Sequence, residues 1–166
     1  MSQFYFSEGD VFGEDFDGTV EISVITYHLF DTRWSKLIHY LGLGAYHSGL
    51  SINGRELSYG HCEVGSGVYV HDDYKIGEYN HLECHAKTYV ETVKMSKEDV
   101  IQIINDTVVN YNGDEYEFLS HNCHNFVDDL CGRLCGKNIP GWVSRVCRVV
   151  NFVPGLRSVV MKLFDN

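Results

Sequence analysis

A chain of 166 residues fits one compact domain, able to bury roughly 70% of the surface its unfolded form exposes, so neither a metal nor a disulfide is needed to hold it. With 13 Lys plus Arg against 23 Asp plus Glu, the formal net charge of -10 excludes nucleic acid and anionic membrane as principal partners. The first eighteen residues lack a cationic stretch followed by an apolar one, and no later run is long enough for stable membrane insertion, so the expected location is the cytoplasm, with the nucleus as alternative.

The segment 1–18 is acidic and is expected to be a flexible extension, with a single catalytic domain over 19–166. From Thr19 to Tyr27, Val20, Ile22 and Val24 alternate with Glu21 and Ser23, which predicts a half-buried strand. Trp34, Leu37, Ile38 and Leu41 recur at helical spacing before Gly42 and Gly44, predicting a helix and a glycine-marked stop. Asn53-Gly54 is the preferred pair for a two-residue type I′ turn, so Ala45 to Tyr59 is a hairpin pairing Ile52 with Arg55, Leu50 with Leu57 and Ser48 with Tyr59. On the opposite face His47 has small neighbours, Gly49 and Ser51, leaving room beside it for a helix or a substrate chain.

Strands are expected at Gly67 to Val70 and Ala86 to Val93. A capping box, Ser96 to Asp99, opens a helix whose stripe is Val100, Ile101, Ile104 and Val108. Ser120-His121-Asn122 leads into another, with Cys123 in its first turn, Phe126, Val127, Leu130 and Leu134 inward, and Gly136 as its stop. Beyond Pro140, Trp142 to Phe164 is apolar but interrupted, consistent with one or two packed helices. Strands mixed with helices define an α+β domain, an antiparallel sheet packed against helices.

Six cysteines lie irregularly in a chain without export signals, where thiols stay reduced. Cys131 and Cys135 sit one helical turn apart with no second pair at zinc-like spacing, and Cys62, Cys84, His61 and His85 match no structural zinc pattern, so neither metal nor cofactor is expected. Cys123 stands apart because a cysteine attacks a carbonyl as thiolate, and the exposed N–H groups of an opening helix favour that charge. His47, on a strand 76 positions upstream, is the candidate base, since imidazole titrates near neutral pH. His121 and His124 are poorer candidates, because immediate neighbours on a helix point around the cylinder. Asn122 is a candidate oxyanion donor beside the Cys123 amide. Glu56 and Tyr59 are read as structural, and Trp142 as a core anchor.

Three stretches carry a resemblance: Gly44-Ala45-Tyr46-His47-Ser48-Gly49 with Gly54-Arg55-Glu56 and Tyr59-Gly60; His121-Asn122-Cys123-His124-Asn125-Phe126; and Gly136-Lys137-Asn138-Ile139-Pro140-Gly141-Trp142. From about Val20 to Val146 the chain resembles the PPPDE-type (DeSI) deubiquitinating and deSUMOylating isopeptidases. The resemblance implies a papain-like core in circularly permuted order, His47 as catalytic histidine, Cys123 as nucleophile and no third triad member. It also implies partners conjugated to ubiquitin or SUMO, and homodimers occur in the family. The residue after the nucleophile is usually Asn there and is His124 here, and the extension before Gly18 is unmatched. Two rival readings remain: a thioester-handling enzyme such as a protein S-depalmitoylase or a lecithin:retinol acyltransferase-like enzyme, whose motif Asn-Cys-x-x-Phe is similar, and a catalytically silent ubiquitin-binding module, against which an intact cysteine and histidine argue.

Overall fold

The computed structural model describes residues 5–29 and 44–158. The helix expected around Trp34 to Leu41 lies outside them. In chain order the elements are α1 (Glu8–Val11), β1 (Thr19–His28), β2 (Tyr46–Ile52), β3 (Arg55–Tyr59), β4 (Val68–Asp72), α2 (Lys75–Asn80), β5 (Cys84–Lys94), α3 (Lys97–Val108), α4 (Cys123–Cys135) and α5 (Arg145–Phe152), with a single 3₁₀ turn at Gly113–Glu115. The five strands form one antiparallel sheet in the order β4-β3-β2-β1-β5, packed against helices, which is the expected α+β class.

The central hairpin follows from its turn. Asn53 and Gly54 both take positive φ (49° and 86°), as a type I′ turn requires, and this sets Ile52 opposite Arg55 and Leu50 opposite Leu57. Leu50, Ile52 and Leu57 then face one way with Val20, Ile22 and Val24 of β1. Against them pack Phe126, Val127, Leu130 and Leu134 of α4 and Val100, Ile104 and Val108 of α3, all buried, so two amphipathic stripes close one continuous core.

Two expectations are corrected here. β1 is buried on both faces from Ile22 onward, because α2 brings Ile76 over Ile25 and Tyr27 and makes a second small core with Tyr69 and Leu82. The stretch before Gly18 is also docked from Phe6 onward rather than a free extension. Asn105 of α3 clasps the Phe6 backbone at both its N–H (2.8 Å) and its carbonyl (3.0 Å), and Val11 and Phe12 are buried in the main core. Its apolar residues, spaced between acidic ones, are what the net charge of the segment conceals.

The space beside Gly49 is likewise occupied. A Cβ built on Gly49 would collide with Oε1 and Cγ of Glu56 and with the Ser58 hydroxyl. Glu56 is fully buried, its Oε2 accepting from the Tyr27 hydroxyl (2.6 Å) and the Tyr74 N–H (3.3 Å). Burial raises its carboxyl above the usual range, while these hydrogen bonds and the charge of His47 pull it back.

Candidate active site

α4 begins where it does because Asn122 caps it. The backbone at Asn122 is extended, and its Oδ1 accepts the N–H groups of His124 (2.9 Å) and Asn125 (3.3 Å), while Asn125 Oδ1 accepts the Asn122 N–H (3.0 Å). Gly136, at φ 70°, ends the helix. Cys123 is therefore the first helical residue, with its sulfur at the positive end of the helix.

The Asn122 side chain is committed in a way that corrects its expected part as an oxyanion donor. Its Nδ2 donates to the Phe118 carbonyl (2.7 Å) and lies 3.7 Å from the Cys147 sulfur, so neither amide hydrogen is left for a substrate oxygen. Its effect on chemistry would be indirect. Asn122→Ala is expected to lower stability by about 1 kcal/mol through the lost cap, and to cut kcat tenfold or more, ~1.4 kcal/mol of barrier, as the first turn loosens; thermal unfolding and steady-state kinetics check both.

β2 carries His47 and Ser48 in succession, so the two side chains leave opposite faces of the strand. His47 lines one 150 Å3 cavity together with Cys123, Tyr46, Tyr116, Val143 and Cys147. Its Nε2 is buried and has no hydrogen-bond partner among the described residues. Ser48 reaches His124 instead, Oγ to Nδ1 at 2.8 Å, and that same Nδ1 is 3.9 Å from the Cys123 sulfur. Burial would push the Cys123 thiol up, but the charges of His124 and His47 and hydrogen bonding with both outweigh it and hold the thiol well below its ordinary value. The sequence-predicted pair thus lines one cavity, and a second imidazole joins it.

His124 was set aside on helix geometry, and the structure shows why that reasoning fails at a helix start. The ring does not swing along the cylinder; it is held from outside by Ser48 on the neighbouring strand. His121 does turn away, stacked on Tyr111 with ring centroids 4.9 Å apart and nearly parallel. Tyr116 is a further residue of the site that the sequence does not single out. It lines the same cavity as Cys123, and burial followed by the Cys123 charge raises its phenol. No local sequence signal marks His124, whose ring is placed by Ser48 on a strand 76 positions away.

A second cavity, lined by Tyr59, Gly60, His61, Tyr69, Ile76 and Leu82, shares Leu29, His47 and Tyr116 with the first. Open space therefore continues on both sides of His47. All six cysteines are free, and among the described residues no group of three or more His, Cys, Asp or Glu side chains converges as for a metal ion.

A cysteine presented by a helix N-terminus beside a strand-borne histidine, on an antiparallel sheet, is the arrangement of the papain-like class. The family model described as "PPPDE putative peptidase domain" matches residues 19–164, and the chain belongs to that family. It is similar to "DeSI-like protein At4g17486" of Arabidopsis thaliana (28% identical over 146 residues, 84% of this chain and 62% of that one). It is similar also to "Desumoylating isopeptidase 1 homolog" of Caenorhabditis elegans (29% over 143 residues, 83% and 42%) and to "DeSI-like protein sdu1" of Schizosaccharomyces pombe (24% over 144 residues, 86% and 72%). The chain spans less than two thirds of the length of the first two.

Proposed function

We propose that this protein is a cysteine isopeptidase that removes a ubiquitin-like modifier, SUMO or ubiquitin, from conjugated proteins, with Cys123 as nucleophile and His47 as its acid and base. The observation that carries the reading is the shared cavity: a thiol held well below its ordinary pKa, with His47 beside it and open space to either side. The thiolate attacks the isopeptide carbonyl, the S–C bond forms, and the charge passes to the carbonyl oxygen beside the Cys123 amide and the Tyr116 hydroxyl. The C–N bond then breaks as His47 gives a proton to the lysine amine. Water, deprotonated by His47, finally cleaves the thioester and restores the thiolate.

A passage open on both sides of His47, about 150 Å3 on the Cys123 side and about 240 Å3 on the other, suits an extended glycine tail that has to reach the sulfur. The test is labelling with SUMO and ubiquitin bearing a C-terminal electrophile. At least one probe is expected to attach at Cys123. Attachment of neither, together with hydrolysis of a palmitoyl thioester, would replace the proposal with the thioesterase reading.

A further inference from the structure

We propose that His124 is a second catalytic residue, whose imidazolium, locked by Ser48, forms the resting ion pair with the Cys123 thiolate and leaves His47 free for proton exchange with substrate. The inference deepens the reading above and rests on it for the identity of the nucleophile.

Three observations of geometry carry it. His124 Nδ1 lies 3.9 Å from the reacting sulfur. The same nitrogen is fixed at 2.8 Å from Ser48 Oγ, and Ser48 is completely buried on β2, so the ring cannot swing away. His124 itself is buried and lines the cavity that holds Cys123. A buried imidazole needs a reason to be charged, and an anion held beside it in a low-dielectric pocket supplies one. Burial alone would pull His124 down, yet the charge of Cys123 and hydrogen bonds to Cys123 and Cys147 push it up to about 10. The groups facing this pair are His47 on β2, Tyr69 on β4, Tyr116 before the helix and Cys147 on α5. Of these, only His47 can carry a positive charge, and the other three would add negative charge on ionising.

The step is a single proton transfer. The S–H bond of Cys123 breaks, an N–H bond forms on His124, and the net charge of the pair is unchanged. His47 does not have to hold the thiol proton for the nucleophile to exist: once the sulfur is acylated and has lost its charge, the proton on His124 passes through His47 to the leaving amine, and the proton His47 then takes from the incoming water returns to His124 as the thiolate leaves.

The decisive measurement is the pH profile of Cys123 alkylation by iodoacetamide, read by mass spectrometry on the Cys123 peptide, because it reports the thiolate without any isopeptide substrate. His124→Asn keeps a polar group that reaches Ser48 and removes the positive charge. Its alkylation limb is expected to move to higher pH by at least one unit, about a tenfold loss of rate on the acid side, while His47→Ala keeps the larger part of its reactivity at neutral pH. A His124→Asn profile that superimposes on wild type overturns the proposal, as does a His47→Ala profile that alone shifts. Should His124→Asn fail to fold, Ser48→Ala, which frees the ring while leaving it charged, is expected to move the limb in the same direction by less, and an unmoved limb overturns the proposal equally. If the electrophilic probes fail while the alkylation profiles behave as stated, the substrate reading falls and the role of His124 stands.

Discussion

Cys123→Ala is expected to abolish cleavage of a SUMO or ubiquitin conjugate, a loss of at least ~10⁴-fold, without unfolding the protein. Removal of the nucleophile leaves only binding and oxyanion stabilisation, which cannot form the covalent intermediate. The fold should tolerate the change because the sulfur faces a cavity rather than filling the main core, whose residues on α4 begin at Phe126. The structural cost is small, and it is offset in part because alanine is the better helix former. Single-turnover assays and thermal unfolding measured on the same preparation separate the two effects. Retained turnover would place the nucleophile elsewhere.

His47→Ala is expected to lower kcat by about 10² to 10⁴-fold with little change in KM, the span usual for a lost general acid and base. The truncation joins the two cavities that meet at His47, which opens a space the size of the missing ring. Imidazole added to the buffer should therefore restore part of the rate, and the restored rate should depend on imidazole concentration and on pH through the ionisation of the added base. A rise in KM with kcat unchanged would instead make His47 a binding residue.

Legibility in the sequence followed the range of the interaction. The hairpin was read to the residue pair because its cause, positive φ at Asn53 and Gly54, sits inside two residues. The boundaries of α4 were legible for the same reason, with Asn122 and Gly136 as local start and stop signals. Cys123 and His47 could be singled out because chemistry restricts which residue types can serve as a nucleophile at a helix opening and a base on a strand, and both line one cavity. What escaped depends on partners far along the chain. Ser48 meets His124 across 76 positions, Asn105 grips Phe6 across 99, and Tyr27 meets Glu56 across 29. Small residues around His47 were read as free space, but Gly49 is small because Glu56 lies over it, and a pattern of side-chain sizes cannot distinguish room from room already filled.

That last contact binds the two positions into one hereditary unit. With the Glu56 carboxyl seated over the bare Cα of Gly49 and anchored by Tyr27, a methyl group cannot be introduced at 49 until 56 has shrunk and the Ser58 hydroxyl has turned aside, and a smaller residue at 56 alone leaves a void beside Gly49. Substitutions at 49 and 56 should therefore arise as compensating couples in descendants of this sequence, and either one alone should be purged.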